Sequence, residues 1–298
     1  MSVIVAGIVD WWLGEAPAGW HPVRWMGRYL ERTGSWIQRP ATDRGKLVAG
    51  GAAWLGGLTG VAVAALGIDR FITRRLPPGM QVLIRGLILK QMLSLRLLLF
   101  EVQSVETALD VSEEEGRRQV RRIVSRDTAR LTSVEVRESA LESLAENLAD
   151  SVVAPIWWYL VAGLPGAMAF RYVNTADAMW GYRGEMEWPG KVAAVADDIA
   201  NFVPARITGV LIGAPSVGPG RIGAEATKAT SPNGGWPMAA LALRLGVRLS
   251  KPGTYVLNPA GRPPTPGDTR SALRMAAGRS AACLMAAALM EEAGRRDR

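Results

Sequence analysis

Three observations predict an all-α, polytopic membrane protein. Residues 47–68, LVAGGAAWLGGLTGVAVAALGI, form 22 uncharged, mostly apolar residues, and a helix needs about 20 to cross a hydrocarbon core. Helical periodicity dominates, and no stretch shows convincing strand alternation. Hydrophobic residues reach 49% although 21% are charged, so the chain divides into apolar and charged blocks. The 298 residues read as one helical membrane domain, with a soluble helical segment at 101–150 and a loop-rich segment at 214–268.

The opening MSVIVAGIVDWWLG has no basic leader and no small-residue cleavage site, so it does not read as a cleaved signal peptide. Lys46 and Asp69 bracket the 47–68 span, whose glycines suit close helix packing. Basic residues flank it on both sides, so charge does not settle its orientation. Residues 80–100 are apolar but carry Arg85, Lys90 and Arg96. They read as one amphipathic helix on a bilayer or partner surface, or as a span turning charge toward an internal anion site.

Residues 101–150 read as soluble helices. Ser112 caps one, with Glu115 three residues on, and Thr132 or Ser133 caps the next. Arg117, Arg118, Arg121, Arg122, Arg126 and Arg130 form a solvated or headgroup-facing run, or a phosphate patch. Residues 152–178 are apolar but interrupted by AGLPGA at 162–167. Residues 191–213 give a shorter amphipathic-to-apolar helix. Residues 251–268 are rich in Pro and Gly, and 269–293 form a terminal helix whose apolar part is short for a span.

Composition narrows the chemistry. Net charge is +8, which suits nucleic acid, an anionic membrane face or anionic substrates. Trp supplies 11 of the 20 aromatics, favouring a membrane interface over base stacking; no nucleic-acid partner is expected. The single cysteine, Cys283, precludes an internal disulfide, and the single histidine, His21, precludes a multi-imidazole metal site. Any metal is a hard ion on carboxylates, amides and phosphates. GPGRIG at 218–223 follows no strand and contains Pro219, so it reads as a flexible loop.

Polar clusters stand beside apolar runs. Glu135, Glu138, Glu142, Glu146 and Asp150 share a roughly 120° arc of one helix. That arc is either a solvent-facing stripe or a set neutralised by arginine or a cation. Asn174 and Asp177 lie one turn apart; Asp197 and Asn201 share a face, with Asp198 and Arg206 nearby; Ser231 and Asn233 sit in a turn. Each is a cap or turn taken alone. Together they offer oxygen ligands for Mg²⁺ and donors for phosphate.

Six strings give these clusters a family likeness. They are DWWLGEAPAGWHPVRWMGR (10–28), SRDT (125–128), ESLAENLADSVVAP (142–155), NTADAMWGY (174–182), DDIANFVPARIT (197–208) and SPNGGWPMAALALRLGVRLSKPGTYVLN (231–258). In that order the chain resembles the adenosylcobinamide-phosphate synthases of cobalamin biosynthesis, the CbiB/CobD family. It departs from them over 209–229 and in its C-terminal tail. The resemblance implies an integral enzyme of the cell (inner) membrane with its site facing the cytoplasm and its helical segment at 101–150 cytoplasmic. It implies ATP-dependent ligation of the free propionate of adenosylcobyric acid to aminopropanol or aminopropanol phosphate, hence ATP as co-substrate and Mg²⁺. The partners are then a corrinoid, the amine and the lipid bilayer, with room for a homo-oligomer.

On this reading Glu146, Asp150, Asp177 and Asp197 act as catalytic base or metal ligands, with Asp198 a further ligand. Asn147, Asn174, Asn201, Ser231 and Asn233 orient substrate, while Lys191 and Arg206, with Arg126, meet phosphate or propionate. His21 contacts the corrinoid or simply forms an HP turn. A non-enzymatic membrane transporter or sensor of an anionic ligand would use similar charges. If 152–172 were one straight helix, Asp150 and Asp177 would sit about 40 Å apart. Gly163, Pro165 and Gly166 instead predict a re-entrant hairpin with its tip at Leu164–Pro165.

Overall fold

The computed structural model describes residues 1–15, 19 and 21–296; 16–18 and 20, within the first family-like string, lie outside it. In chain order the elements are α1 (Ser2–Leu13), α2 (Pro22–Ile37), α3 (Asp43–Arg75), α4 (Pro78–Lys90), α5 (Leu95–Val111), α6 (Glu113–Val120) and α7 (Ser133–Leu148). A π-helical turn (Ala149–Val153) leads into α8 (Ala154–Trp180), α9 (Lys191–Ala200), α10 (Phe202–Gly213), α11 (Pro219–Ala226) and α12 (Gly235–Leu245). The strands β1 (Leu249–Lys251) and β2 (Tyr255–Leu257) precede the final helix α13 (Pro266–Arg296). They form two compact units: Met1–Ser94, Ala154–Asn201 and Leu284–Arg298 in the first, Leu95–Val153 and Phe202–Cys283 in the second.

Among the described residues, three segments are long and apolar enough to cross a membrane: Asp43–Arg75, Ser133–Trp180 and Pro266–Gly294. The last corrects the sequence reading of an apolar part too short for a span: within that helix a stretch with few charges is long and apolar enough by length and composition. In the first unit, Thr42 caps α3 by accepting from the Gly45 N–H at 3.1 Å. Val48, Leu55, Val63 and Phe71 of α3 are exposed, an apolar face suited to lipid. Inward, Tyr172 of α8 donates to the Trp54 carbonyl at 3.1 Å and packs with Met26, Leu30, Ile37, Ala176 and Trp180.

Helix α8 is broken. Ala162 (φ −139°, ψ 18°) and Gly163 (φ 66°, ψ −156°) leave helical conformation, and the positive φ at Gly163 suits a residue without Cβ. A Cβ placed on Gly166 would lie 2.3 Å from the Trp158 carbonyl oxygen. Eight residues of straight helix would separate these positions by about 12 Å, so the helix bends sharply between them. The corner precedes the anticipated Leu164–Pro165 by two residues, because Pro165 is tolerated in the first turn of the second arm, where its missing N–H costs nothing.

Two other helices read as continuous are interrupted. The 80–100 run divides into α4 and α5, since Met92 and Leu93 are buried and their packing overrides periodicity. The 191–213 run divides at Asn201, just ahead of Pro204.

In the second unit, Thr132 and Glu135 form a reciprocal capping box for α7, and Ser112 caps α6. Arg137 of α7 meets Glu106 of α5 in a buried pair at 2.7 Å, and Thr269 also donates to Glu106 at 2.6 Å. Residues 214–268, read as loop-rich, contain α11, α12 and an antiparallel hairpin pairing Leu249 with Leu257 and Lys251 with Tyr255. Three-residue strands are too short to display alternation. The GPGRIG stretch, read as a loop, starts α11: Gly218 is its cap and Pro219 its first residue.

Candidate active site

The sequence-identified residues fall into two polar clusters, one in each unit. In the first unit, α8 and α9 bring together Asn174 and Asp197. Asn174 Nδ2 donates to Asp197 Oδ1 at 3.3 Å, and Asn201 Nδ2 donates to Asp197 Oδ2 at 3.3 Å. Asp197 is 9% exposed and Asn201 2%. Burial pushes the Asp197 carboxyl above its ordinary value and the Asp198 charge adds to this, while the two carboxamides pull the other way without cancelling it.

Asp177 lies one turn beyond Asn174 on α8. A Cβ on Gly181 would lie 2.0 Å from Asp177 Oδ1, so the glycine makes room for the carboxylate. Asp198 and Lys191 are exposed on α9, Lys191 being its first residue.

In the second unit the acidic face of α7 is buried along its middle. Glu138 (0% exposed) accepts from Arg248 Nε at 3.2 Å and from the Ser250 hydroxyl. Glu142 (1% exposed) accepts from Arg126 Nη2 at 2.6 Å, while Arg126 Nη1 donates to Ser139 Oγ at 3.1 Å. Tyr255 lies beside Glu142; burial and then the Glu142 charge push its phenol up. The acidic stripe is therefore not a solvent face over Glu138–Glu142, since arginines from elsewhere in the unit neutralise it. The basic run is divided too: Arg126 points into this cluster, while Arg118 is 66% exposed.

Further along α7, Glu146 is exposed and its carboxylate lies over the 231–236 turn, where a Cβ on Gly234 would sit 2.7 Å from Oε1. In that turn Ser231 Oγ accepts from the Gly234 N–H at 3.0 Å. Asn233 Oδ1 accepts from Arg206 Nη1 at 2.7 Å, and the Arg206 guanidinium stacks 3.6 Å above the Phe202 ring. Asn147 turns back onto the Ser143 carbonyl at 3.0 Å. Asp150 sits in the π-helical turn, a departure from α geometry common at functional sites.

The donors in both clusters are oxygens and guanidinium or amide nitrogens. Among the described residues, no group of three or more His, Cys, Asp or Glu side chains converges as a metal cage.

Comparison with known proteins decides the family. A model of the CobD/Cbib protein family matches residues 3–285. The chain belongs to the CobD/CbiB family. It is 37% identical over 265 residues to the "Probable cobalamin biosynthesis protein CobD" of Methanothermobacter thermautotrophicus, covering 86% of this chain and 85% of that one. The Pyrococcus furiosus protein of the same description is 38% identical, covering 92% of this chain and 93% of its own. The "Cobalamin biosynthesis protein CobD" of Klebsiella pneumoniae is 35% identical, covering 84% and 82%. No solved structure matches. This CobD/CbiB chain thus has a role in cobalamin biosynthesis and the character of a membrane protein.

Sequence reasoning missed Arg248, Ser250 and Tyr255 as partners of the α7 acids. Their signal was faint, because all three lie in or beside a hairpin whose strands are three residues each.

Proposed function

We propose that the protein is a carbon–nitrogen ligase. It joins the free propionate of adenosylcobyric acid to aminopropanol or aminopropanol phosphate at the expense of ATP, giving adenosylcobinamide or its phosphate. The observation that carries this reading is Asp197, a buried carboxylate held by two carboxamides in a chain of this family.

Amide formation from a carboxylate in water is uphill. Transfer of the ATP γ-phosphoryl group to the propionate gives an acyl phosphate and ADP. The amine attacks its carbonyl carbon and loses a proton, and phosphate leaves. When bound, Mg²⁺ supplies charge shielding at the ATP phosphates; in the first unit Asp177, Asp197 or Asp198 would hold it. Asp197 suits the proton-accepting role, because a base works best with a pKa near the working pH and burial moves it that way.

Asn174 and Asn201 hold the Asp197 carboxylate, and Asn147 and Asn233, with Ser231, meet the amide-rich corrinoid. Arg206 and Lys191 meet phosphate, and Glu146 is a second candidate base. The corner at Gly163 serves as a re-entrant turn that keeps the catalytic ends of the helices on the cytoplasmic side of the inner membrane.

The purified chain in nanodiscs, given both organic substrates and Mg-ATP, is expected to form the amide with one ADP per product. Ligand binding or flux across a bilayer without turnover would favour a transporter or sensor instead.

A further inference from the structure

The first unit contains a second buried charge cluster, which the reaction scheme above does not use. Helix α1 ends at Leu13, and Gly14 (φ 67°) turns the chain so that its N–H donates to the Asp10 carbonyl at 3.1 Å. Glu15 follows, His21 precedes Pro22 at the start of α2, and Lys90 is the last residue of α4. Lys90 Nζ lies 3.3 Å from Asp10 Oδ1 and 3.4 Å from Glu15 Oε2. His21 Nε2 lies 2.9 Å from the same Glu15 oxygen. Lys90 is 1% exposed, Asp10 2% and His21 9%.

Among the described residues, Lys90 Nζ, Glu15 Oε1 and His21 Nδ1 are buried atoms of this cluster without a hydrogen-bond partner. Lys90 has ion-pair contacts, but none with hydrogen-bond geometry. A fold rarely leaves buried polar atoms so, and three in one place ask for a polar occupant. We propose that Asp10, Glu15, His21 and Lys90 form the subsite for the amine substrate, a small amino alcohol or its phosphate ester.

The atoms define the ligand class. Glu15 Oε1 accepts only, so it needs a donor. Lys90 Nζ donates only, so it needs an acceptor. One small molecule satisfying both is bipolar: an ammonium donates to Glu15 and to His21 Nδ1, which accepts when Nε2 donates to Glu15, and a hydroxyl or phosphate oxygen faces Lys90. A polyphosphate chain would be repelled by two carboxylates, and a corrinoid is too large for a cluster this deeply buried. Although burial pushes the Glu15 carboxyl up, the hydrogen bond from His21 and the Lys90 charge outweigh it and hold its pKa below the ordinary value. Glu15 is therefore ionised at neutral pH, as an ammonium counter-charge must be. This inference rests on the ligase reading, and it names where the nucleophile is held.

The test uses the full-length protein in nanodiscs, titrated calorimetrically with aminopropanol and with aminopropanol phosphate, without ATP or corrinoid. Glu15→Gln is expected to weaken both by about tenfold or more. His21→Asn, which puts a residue suited to the N-cap where His21 makes no side-chain cap, is expected to weaken both as well. Glu15→Asp keeps the charge and recovers most of the affinity. In turnover, the KM for the amine rises in Glu15→Gln and His21→Asn, while the KM values for corrinoid and ATP stay put. Lys90→Met is unsuitable, since it strands the buried Asp10 carboxylate and the half-buried Glu15.

The proposal is overturned if the wild-type protein binds neither amine, if Glu15→Gln and His21→Asn bind as wild type does, or if Glu15→Asp recovers nothing. Wild-type binding without amide product would sink the ligase reaction and leave the subsite standing. Amide formation with an unchanged amine KM in both variants would sink the subsite and leave the reaction standing.

Discussion

Asn174 Nδ2 and Asp197 Oδ1 meet at 3.3 Å, 23 positions apart in sequence, and so pin α8 to α9 through one buried carboxylate. The same carboxylate takes its second hydrogen bond from Asn201, where α9 ends. A helix end, a helix face and an acid are thereby fixed together.

Replacing carboxylate by carboxamide at Asp150, Asp177 or Asp197 is expected to lower turnover by about 100-fold or more, some 2.7 kcal/mol of barrier. Asp197→Asn carries an added cost of about 1–3 kcal/mol in stability, because one of its two polar atoms becomes a donor facing a donor. Single-turnover rates and thermal midpoints separate the two effects. Near-wild-type rates in two of the three variants would contradict the assignment.

The raised pKa of Asp197 sets a pH dependence. As a base, Asp197 must be ionised, so kcat/KM falls as pH drops through its folded-state pKa, which lies above the ordinary 3.8. The sign for stability is the reverse. Between the ordinary and the raised value the folded state binds more protons than the unfolded one, so this group's contribution declines as pH rises through that window. A pH–rate profile of wild type should show an acid limb above the ordinary carboxylate range. The same limb unchanged in the residual activity of Asp197→Asn would remove Asp197 from the base role.

The two kinds of arginine in the 117–130 run should respond differently to truncation. Arg126→Ala leaves Glu142 buried and uncompensated, at a cost of about 3–5 kcal/mol. Arg118→Ala removes a side chain 66% exposed, and its effect should stay within about 0.5 kcal/mol. Denaturation of both variants in the same detergent compares them, and equal losses would mean that the Glu142 pair is not what holds the α7 face.

At the α8 corner, Gly166→Ala forces a methyl against the Trp158 carbonyl, whose oxygen is 2.3 Å from that position. Overpacking of this kind costs about 1–3 kcal/mol. A thermal midpoint equal to wild type would show that the arms do not meet there.

The long apolar spans and the caps were legible because each depends on neighbours in sequence: 22 uncharged residues for α3, and Thr132 with Glu135 for α7. The break in α8 was legible in kind from its glycines and proline, but two residues off, since a proline fits the first turn of a helix as readily as a tip. What stayed hidden depends on distant partners. Nothing beside Glu138 announces that Arg248 neutralises it, 110 positions away, and nothing beside Lys90 announces Asp10 and Glu15. Asn174 and Asp197 were singled out because amide and acid both stood at the edges of apolar runs, although their bond to each other is a tertiary fact.

The central claim is that the propionate is activated by phosphoryl transfer before the amine attacks, and the fate of oxygen tests it most directly. Adenosylcobyric acid labelled with ¹⁸O in its free carboxylate is turned over by the protein in nanodiscs with Mg-ATP and the amine. An acyl phosphate requires one labelled oxygen to leave with the released phosphate. Label in inorganic phosphate, one per amide formed, is the expected result; amide formed without label in phosphate, or ATP consumed without amide, would contradict the account.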